Sequence, residues 1–331
     1  MFRVGMLSGW HVHAKGYGNA LKAMPDVAVT AVWDEEPGRG KAWADELGAT
    51  FEADLDAFLG RDDVEGVVVD APTNRHEEVM VAAARAHKHI FTEKVMALTV
   101  AECDRIADAV REAGVRFCIS LPQRTAPDQR FAKKAIDEKL IGEVTFARVR
   151  VAHNGSSAGW LPSHFYDPVA CGGGAMMDLG AHPMYLIRWL LGRPVRIAST
   201  FTYMTEHEVE DNAVSVIEFD SGAIGIAETS FVSTHSPSSI EVSGTEGSLF
   251  VGGPDGGVRI RSNQIGNDLE GWISPAQLPE ALPAPIRLWV DGVLTGAPIP
   301  FGLEEGTQLT ELMEYAYVSH REGRQIDIPP R

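Results

Sequence analysis

The chain has 331 residues, 44% hydrophobic and 23% charged, which is typical of a globular protein with more residues than one core usually serves. The formal net charge of −17 excludes nucleic acid and anionic membranes as expected partners. Three cysteines without metal-binding spacing, no signal-peptide pattern and no long apolar run lead us to expect a cytoplasmic protein without a membrane span.

The first 121 residues alternate short apolar runs with helical patterns. Strands are predicted at 2–7, 27–33, 50–51, 64–71, 89–92 and 115–120, and helices at 14–24, 37–47, 77–86 and 100–113. Pro37 and Gly48 suit the two ends of the second helix, and Thr99 with Glu102 forms a predicted capping box. This alternation predicts a doubly wound parallel sheet, covered by helices on both faces.

The pattern changes after Leu121. A helix is predicted at 128–139, a long strand at 143–153, a polar loop at 154–171, a helix carrying Asp178 and His182 that ends at Gly192, and a final helix at 307–321. We expect Pro183 to bend the helix just after His182. Alternating runs predict consecutive antiparallel strands at 196–203, 213–219, 223–231, 239–243 and 248–251, while residues 275–300 are expected to be irregular. The sequence therefore predicts a second α/β domain over residues 122–331.

The turn after the first strand is a candidate dinucleotide site. A helix N-terminus at this position offers N–H groups and a positive dipole to a pyrophosphate. The glycine motif is degraded, because Ser8, Trp10 and His13 stand at the three glycine positions and Gly9 alone remains in the turn. The candidate cofactor contacts in this turn are Ser8, Gly9, Trp10 and His11.

The second strand ends in Trp33-Asp34, about 20 residues after the turn, where an acid can accept hydrogen bonds from the adenosine ribose. Asp34 would repel a 2′-phosphate, so NAD is expected in preference to NADP. Arg39 lies close enough in sequence to weaken that preference. The alternative is that Asp34 is an ordinary loop acid.

His11 and His13 form a His-x-His pair of the kind that can bind a metal ion. A third and fourth ligand at recognisable spacing are missing from the sequence. We therefore predict no metal site. One imidazole is expected beside the cofactor phosphates and the other against the sheet.

Asp178 and His182 follow the run Gly172-Gly173-Gly174 and stand four residues apart. On a helix this spacing places both side chains on one face. A neutral imidazole held by a carboxylate is a suitable general base for a hydroxyl proton. The same spacing also occurs where the aspartate caps a helix and the histidine only packs, so the pair needs support from the rest of the chain.

Four motifs occur in order along nearly the whole chain, and together they resemble the glucose–fructose oxidoreductase / inositol dehydrogenase / MocA family. They are Ala71-Pro72-Thr73-Asn74-Arg75-His76, Phe91-Thr92-Glu93-Lys94-Val95, the Asp178/His182 pair after three glycines, and Gly244-Thr245-Glu246-Gly247-Ser248. The resemblance implies an N-terminal Rossmann domain (residues 1–121) and a C-terminal α/β domain (122–331). The second domain would have a large open, mostly antiparallel sheet that forms a homodimer or homotetramer.

The resemblance also implies hydride transfer between NAD and a secondary alcohol of a sugar, inositol or related polyol. Glu93-Lys94-Val95 takes the place of the family's Glu-Lys-Pro, so Lys94 would contact both the substrate and the nicotinamide ribose. Asp178 and His182 would complete the catalytic set. The further candidates are Pro72, Thr73, Asn74, His76 and Glu93 for the cofactor, and Arg124, His153, Trp160 and Tyr166 for the substrate.

Two departures from the family accompany the degraded glycine motif. Val95 replaces a proline, and Tyr185 stands where many members carry a second acid one turn after the histidine. Two other functions stay open: an NAD-dependent glycosidase or lyase that oxidises its substrate transiently, and a non-catalytic sugar or dinucleotide sensor. The degraded motif favours the sensor, whereas the intact Lys94, Asp178 and His182 disfavour it.

Overall fold

The computed structural model describes residues 1–265 and 271–331. The chain divides into two compact units, one made of Met1–Ser120 with Pro283–Thr310 and the other of Leu121–Leu282 with Glu311–Arg331. The chain thus returns to the first unit near its C-terminal end. The sequence analysis does not anticipate this return, because it assigns everything after residue 121 to the second domain.

The first unit is built on a parallel sheet. Its strands are β1 (Phe2–Leu7), β2 (Val27–Trp33), β3 (Thr50–Phe51), β4 (Gly66–Val69), β5 (His89–Thr92) and β6 (Phe117–Ile119). They lie in the order β3-β2-β1-β4-β5-β6, and every neighbouring pair is parallel, which confirms the predicted doubly wound sheet. The order reverses between β1 and β4, and open sheets of this kind bind ligands at that point, beyond the carboxyl ends of the strands.

Local sequence signals set the helix ends of this unit. The helices are α1 (Ala14–Lys22), α2 (Pro37–Leu47), α3 (Leu55–Leu59), α4 (His76–Arg85) and α5 (Val100–Ala113). Pro37 is the first residue of α2, and Gly48 ends that helix in the left-handed conformation. The predicted capping box of Thr99 and Glu102 starts α5. Strands and helices therefore alternate as the sequence predicts, and the structure adds the short helix α3, which the sequence analysis does not predict.

In its described part, the second unit carries an eight-stranded sheet. The strands are β7 (Val144–Ala152), β8 (Pro194–Thr202), β9 (Asn212–Phe219), β10 (Ile224–Ser230), β11 (Ser239–Gly244), β12 (Gly247–Gly252), β13 (Val258–Ser262) and β14 (Ile326–Asp327). They lie in the order β13-β12-β11-β7-β10-β9-β8-β14. All neighbouring pairs are antiparallel except β7 with β10, so the predicted mostly antiparallel sheet is confirmed. The expected direct succession of β10 and β11 is wrong, because the long strand β7 pairs with both of them.

The remaining helices are α6 (Pro127–Asp137), α7 (Pro168–Cys171), α8 (Ala181–Leu191), α9 (Pro285–Thr295) and α10 (Leu303–Glu322). Helix α9 contradicts the expectation of irregular chain at 275–300. Pro285 occupies its first position, where a missing N–H has no cost, and Ile286, Trp289 and Val290 form one buried face. Within residues 1–265 and 271–331, no helix is both long and apolar enough to cross a membrane.

The Trp289 side chain tests whether α9 belongs to the core of the first unit. It is fully buried, and its ring centroid lies 5.2 Å from that of Phe2 and 5.8 Å from that of Phe91. We expect Trp289→Ala to lower the free energy of unfolding by about 3–5 kcal/mol, because it leaves a large cavity. Urea unfolding followed by far-UV circular dichroism measures this loss.

Leu294→Ala on the same helix is the matched control. Leu294 is 43% exposed, so its replacement should change the free energy of unfolding by about 0.5 kcal/mol or less. Equal losses in the two variants would mean that Trp289 does not hold α9 to the sheet.

Candidate active site

In the turn after β1, a serine takes a backbone conformation that usually needs glycine. Ser8 lies at φ 72°, in the left-handed region that favours glycine. Its N–H donates to the Trp33 carbonyl (2.7 Å), and its hydroxyl accepts from the Trp10 N–H (3.0 Å). A Cβ atom on Gly9 would lie 3.1 Å from the Trp43 ring and 3.4 Å from Asp34, so the one retained glycine is tightly packed. The two hydrogen bonds of Ser8 thus stabilise a backbone conformation that glycine adopts without strain.

The Asp34 carboxylate lies directly against this turn. It is buried and accepts hydrogen bonds from the Gly9 N–H (2.8 Å) and the Glu36 N–H (2.7 Å). Arg39 donates to both carboxylate oxygens, at 2.9 Å and 2.6 Å, and also to Glu35. An acid at the end of β2, beside the turn, fits the ribose of a dinucleotide. The same carboxylate holds Arg39 within reach of any group that binds there.

The loop after β4 shows how one predicted site residue serves the fold. His76 is buried, and its ring nitrogens lie 3.0 Å from the Ala71 carbonyl oxygen and 2.9 Å from that of Val95. Burial lowers the pKa of His76. The imidazole thus ties the end of β4 to the segment after Lys94. Of the other candidates in this loop, Pro72 is buried and Asn74 is exposed.

Glu93 follows β5 and is almost completely buried, with 2% of its surface exposed. Its carboxylate accepts from His13 Nδ1 (2.9 Å), from the Tyr17 hydroxyl and from the Lys94 N–H (2.8 Å). Burial by itself would raise the pKa of Glu93, but the His13 hydrogen bond and the charges of His11 and Lys94 outweigh it and lower the pKa. Glu93 is therefore a charged carboxylate inside the protein.

Tyr17 and Asp70 are residues of this cluster that the sequence analysis misses. The Tyr17 hydroxyl reaches Glu93 from 76 residues away in sequence and lies 2.8 Å from the Ser120 Oγ. Asp70 is fully buried, and neither of its carboxylate oxygens has a hydrogen-bond partner in the described part of the chain. Burial, together with the charge of Glu93, raises the pKa of Asp70 well above its ordinary value. No local spacing signals these contacts, because they form between separate strands and a helix.

In the second unit, the helix that carries His182 starts later than the sequence predicts. Helix α8 begins at Ala181, so Asp178 lies in the preceding turns and its N–H donates to the Gly174 carbonyl (3.0 Å). The expectation of one helical face for Asp178 and His182 is wrong, and so is the expected bend. Pro183 lies in the first turn of α8, where its missing N–H breaks no hydrogen bond.

His182 is held by the residue that departs from the family pattern. Its Nδ1 lies 2.9 Å from the Tyr185 hydroxyl, which also accepts the Gln123 N–H at 3.2 Å. Tyr185 is buried, whereas His182 is partly exposed. The tyrosine therefore fixes the imidazole from one side and leaves part of the ring accessible.

The glycine loop before Asp178 is hydrogen-bonded to a buried acid, Glu210, which is not among the predicted site residues. The Glu210 carboxylate accepts from the Gly174 N–H (3.0 Å), the Met176 N–H (2.9 Å) and the Tyr317 hydroxyl. A Cβ atom on Gly173 would overlap the Tyr317 hydroxyl. Burial raises the pKa of Glu210, while these hydrogen bonds act in the opposite direction. Glu210 and Tyr317 thus fix the backbone of the loop before Asp178.

The other substrate candidates fall into separate contacts within the second unit. His153 stacks on Phe231 at 5.0 Å and lies 4.7 Å from the ring of Trp160, which is 55% exposed. Burial lowers the pKa of His153, and the charge of Asp178 acts against this shift. His153, Trp160 and Asp178, all predicted site residues, therefore lie near one another in the second unit.

Arg124 and Tyr166 lie in ring contacts of their own. The Arg124 guanidinium covers the Trp189 ring at 5.0 Å, and Tyr166 stacks on His207 at 3.4 Å. The Cys171 thiol beside the glycines is buried, and burial with nearby acids raises its pKa to about 12. Cys171 is thus a small buried side chain next to the glycine run.

Two family models match the chain. The model of an oxidoreductase family with an NAD-binding Rossmann fold matches residues 2–121. The model of the GFO/IDH/MocA C-terminal domain matches residues 129–250, from within α6 to within β12. Both halves of the sequence resemblance therefore have an independent counterpart.

Individual relatives agree with these matches. The scyllo-inositol 2-dehydrogenase (NAD(+)) of Bacillus subtilis (strain 168) is 30% identical over 250 residues, which are 73% of this chain and 70% of the relative. The crystal structure of GenD2 from gentamicin A biosynthesis, in complex with NAD, is 27% identical with a TM-score of 0.84, covering 100% of this chain and 97% of that one. Levoglucosan dehydrogenase with NADH and L-sorbose has the same fold, with a TM-score of 0.88 at 21% identity and coverage of 100% and 99%.

Replacing Glu210 tests whether it fixes the glycine loop. In Glu210→Ala the buried N–H groups of Gly174 and Met176 lose their acceptor, and we expect the free energy of unfolding to fall by at least about 2 kcal/mol. Glu208→Ala, which removes an exposed acid two residues away, should change it by about 0.5 kcal/mol or less. Urea unfolding compares the two variants, and an unaffected Glu210→Ala would contradict the supporting role.

Proposed function

The chain belongs to the GFO/IDH/MocA oxidoreductase family, and on that premise we propose that it transfers a hydride between NAD and a secondary alcohol carbon of a sugar, inositol or related polyol. Its first unit is an NAD-binding Rossmann domain. The name of the inositol dehydrogenase relative supports the substrate class. We propose that the second unit supplies the groups that bind and deprotonate this substrate.

The position of the His182 imidazole is the main support for this proposal. It lies in the first turn of α8, partly exposed, with Nδ1 hydrogen-bonded to the buried Tyr185 hydroxyl. When Nδ1–H donates to this hydroxyl, Nε2 takes the proton of the substrate alcohol as a general base. Asp178 precedes the helix on a loop fixed by Glu210, and we assign it to orienting the imidazole or a substrate hydroxyl.

Lys94 stabilises the charge that develops on the substrate oxygen. It directly follows Glu93 at the carboxyl end of β5, with only 6% of its surface exposed, and its N–H donates to the Glu93 carboxylate. An ammonium group held away from bulk water interacts strongly with a developing oxyanion. The proposed division of labour gives proton transfer to His182 and charge stabilisation to Lys94.

NAD, when bound, supplies the acceptor for the hydride. The residues present fit it, because Ser8 adopts a left-handed conformation that tightens the turn after β1, and the Asp34 carboxylate at the end of β2 lies against that turn at the Gly9 N–H. In this proposal the turn from Ser8 to His11 orients the phosphates, and Asp34 orients the adenosine ribose.

We also propose that the sheet of the second unit forms a homo-oligomer. Large apolar side chains are exposed on it, at Phe146 (37%), Val216 (40%), Ile224 (41%) and Phe250 (40%). Phe146 is directly opposite Ile224 in the pairing of β7 with β10. A second copy of the chain is the partner that we expect to cover these side chains.

Replacing His182 or Lys94 tests their catalytic roles. We expect His182→Ala and Lys94→Ala each to lower kcat by about 10²–10⁴-fold, because each removes a group that acts in the transition state. NADH formation with a panel of inositols and sugars measures the rate. His235→Asn, which changes an exposed histidine at φ 55°, is the control and should retain full activity. Unchanged turnover in His182→Ala would remove the general-base assignment.

Replacing Asp34 tests cofactor selection. Asp34→Ala removes the ribose acceptor and frees Arg39 for a 2′-phosphate, so NAD⁺ should bind more weakly and NADP⁺ more tightly. Glu36→Ala is the matched control, since Glu36 is exposed and contacts Arg39 only at 3.4 Å. Calorimetric titration with both cofactors measures the change. Stronger NAD⁺ binding by Asp34→Ala would contradict the ribose role.

A further inference from the structure

His11, His13 and Glu93 bring three metal-ligating groups together at the edge of the parallel sheet. One ligand atom from each lies within 4.8 Å of the others. His13 Nδ1 is 2.9 Å from the Glu93 carboxylate, and the ring centroids of the two histidines are 4.7 Å apart. We propose that these three residues bind one divalent transition-metal ion of the Zn²⁺ class, with the Asp70 carboxylate as a supporting acid.

Asp70 provides an independent observation in favour of a cation. A buried carboxylate is normally hydrogen-bonded, paired with a cation or bound to a metal ion. Asp70 is fully buried, and in residues 1–265 and 271–331 neither of its oxygens has a hydrogen-bond partner. The His11 N–H donates to the Asp70 backbone carbonyl (3.1 Å), which places the main chain of Asp70 beside the first histidine. A divalent cation would offset the repulsion between Asp70 and Glu93.

The donor set indicates the class of metal. Two imidazoles and one carboxylate are the ligands of catalytic zinc sites, in which a fourth position stays open. The Tyr17 hydroxyl holds the Glu93 carboxylate, which is the kind of outer contact that orients metal ligands.

The geometry needs only a modest adjustment to enclose an ion. Ligand atoms about 2.0–2.1 Å from a tetrahedral metal lie roughly 3.4 Å from one another. The widest separation in the cluster is within 4.8 Å, and the His13 side chain is 51% exposed, so rotation of this ring can close the site. The same exposure gives an ion a path from solvent. His11 also belongs to the turn that we assign to the cofactor phosphates, so the ion and NAD would share this edge of the sheet, and metal binding is therefore measured without NAD.

Direct metal binding by the full chain tests the proposal. Protein stripped with EDTA and freed of chelator is titrated with Zn²⁺ by calorimetry and with Co²⁺ by visible absorption. We expect one equivalent per chain and tetrahedral Co²⁺ bands. His11→Ala and His13→Ala should each weaken binding by at least about 100-fold, and Asp70→Asn by about 10–100-fold, as for loss of an outer-shell partner.

His87→Asn is the matched control in the same unit, because His87 is exposed at φ 56° and should leave the affinity unchanged. Thermal unfolding in EDTA checks that each variant folds. His13→Ala removes one of the donors to the buried Glu93 carboxylate, so it should keep a single cooperative transition at a somewhat lower temperature than the wild type. The proposal is overturned if the wild type takes up no stoichiometric metal, or if His13→Ala binds it as tightly as the wild type. Neither readout uses NAD or a substrate, so failure here leaves the proposed hydride transfer untouched.

Discussion

The buried charge of Glu93 is the constraint on which the structure at the carboxyl ends of β1 and β5 depends. A parallel sheet brings the carboxyl ends of its central strands to one edge, and Glu93 leaves β5 at that edge with 2% of its surface exposed. A charged carboxylate inside a protein needs hydrogen-bond donors. Tyr17 in α1 and His13, the residue before α1, supply them to Glu93. The same carboxylate fixes the backbone of Lys94. One buried acid thereby positions the turn, the first helix and the lysine.

The second unit uses a similar device. Glu210 is buried and accepts hydrogen bonds from the backbone N–H groups of Gly174 and Met176. These bonds fix the backbone just before Asp178. Tyr185 then holds His182 at the start of α8. In both units a buried polar group thus fixes the backbone next to a residue assigned to chemistry, and precise placement of such residues is what catalysis requires.

Local signals account for most of what the sequence predicts. The parallel sheet, the capping box at Thr99 and the glycine end of α2 depend on residues close in sequence, and the structure has all three. The predicted start of α8 is wrong, because Pro183 is a first-turn residue of this helix and not a bend within a longer one. The left-handed Ser8 was not predicted either, because the glycine motif was the only signal considered for that conformation.

Contacts between distant parts of the chain set the limit of sequence reasoning. No spacing rule joins Tyr17 to Glu93. None joins His11 and His13 to a third acidic group either, because Glu93 lies 80 residues after His13 in the sequence. Folding supplies that group by placing the end of β5 beside the start of α1. The substrate residues were more scattered, since loop side chains such as Trp160 take positions that pattern alone does not set.

If a hydride passes from a substrate carbon to NAD, the transfer of an isotope label from that carbon to the cofactor detects it. The protein is incubated with NAD⁺ and inositols or sugars that carry deuterium on the alcohol carbons, and the cofactor is analysed by mass spectrometry and NMR. We expect one deuterium at C4 of the nicotinamide, with a matching amount of oxidised product. A cofactor that binds but stays unlabelled with every substrate would contradict it.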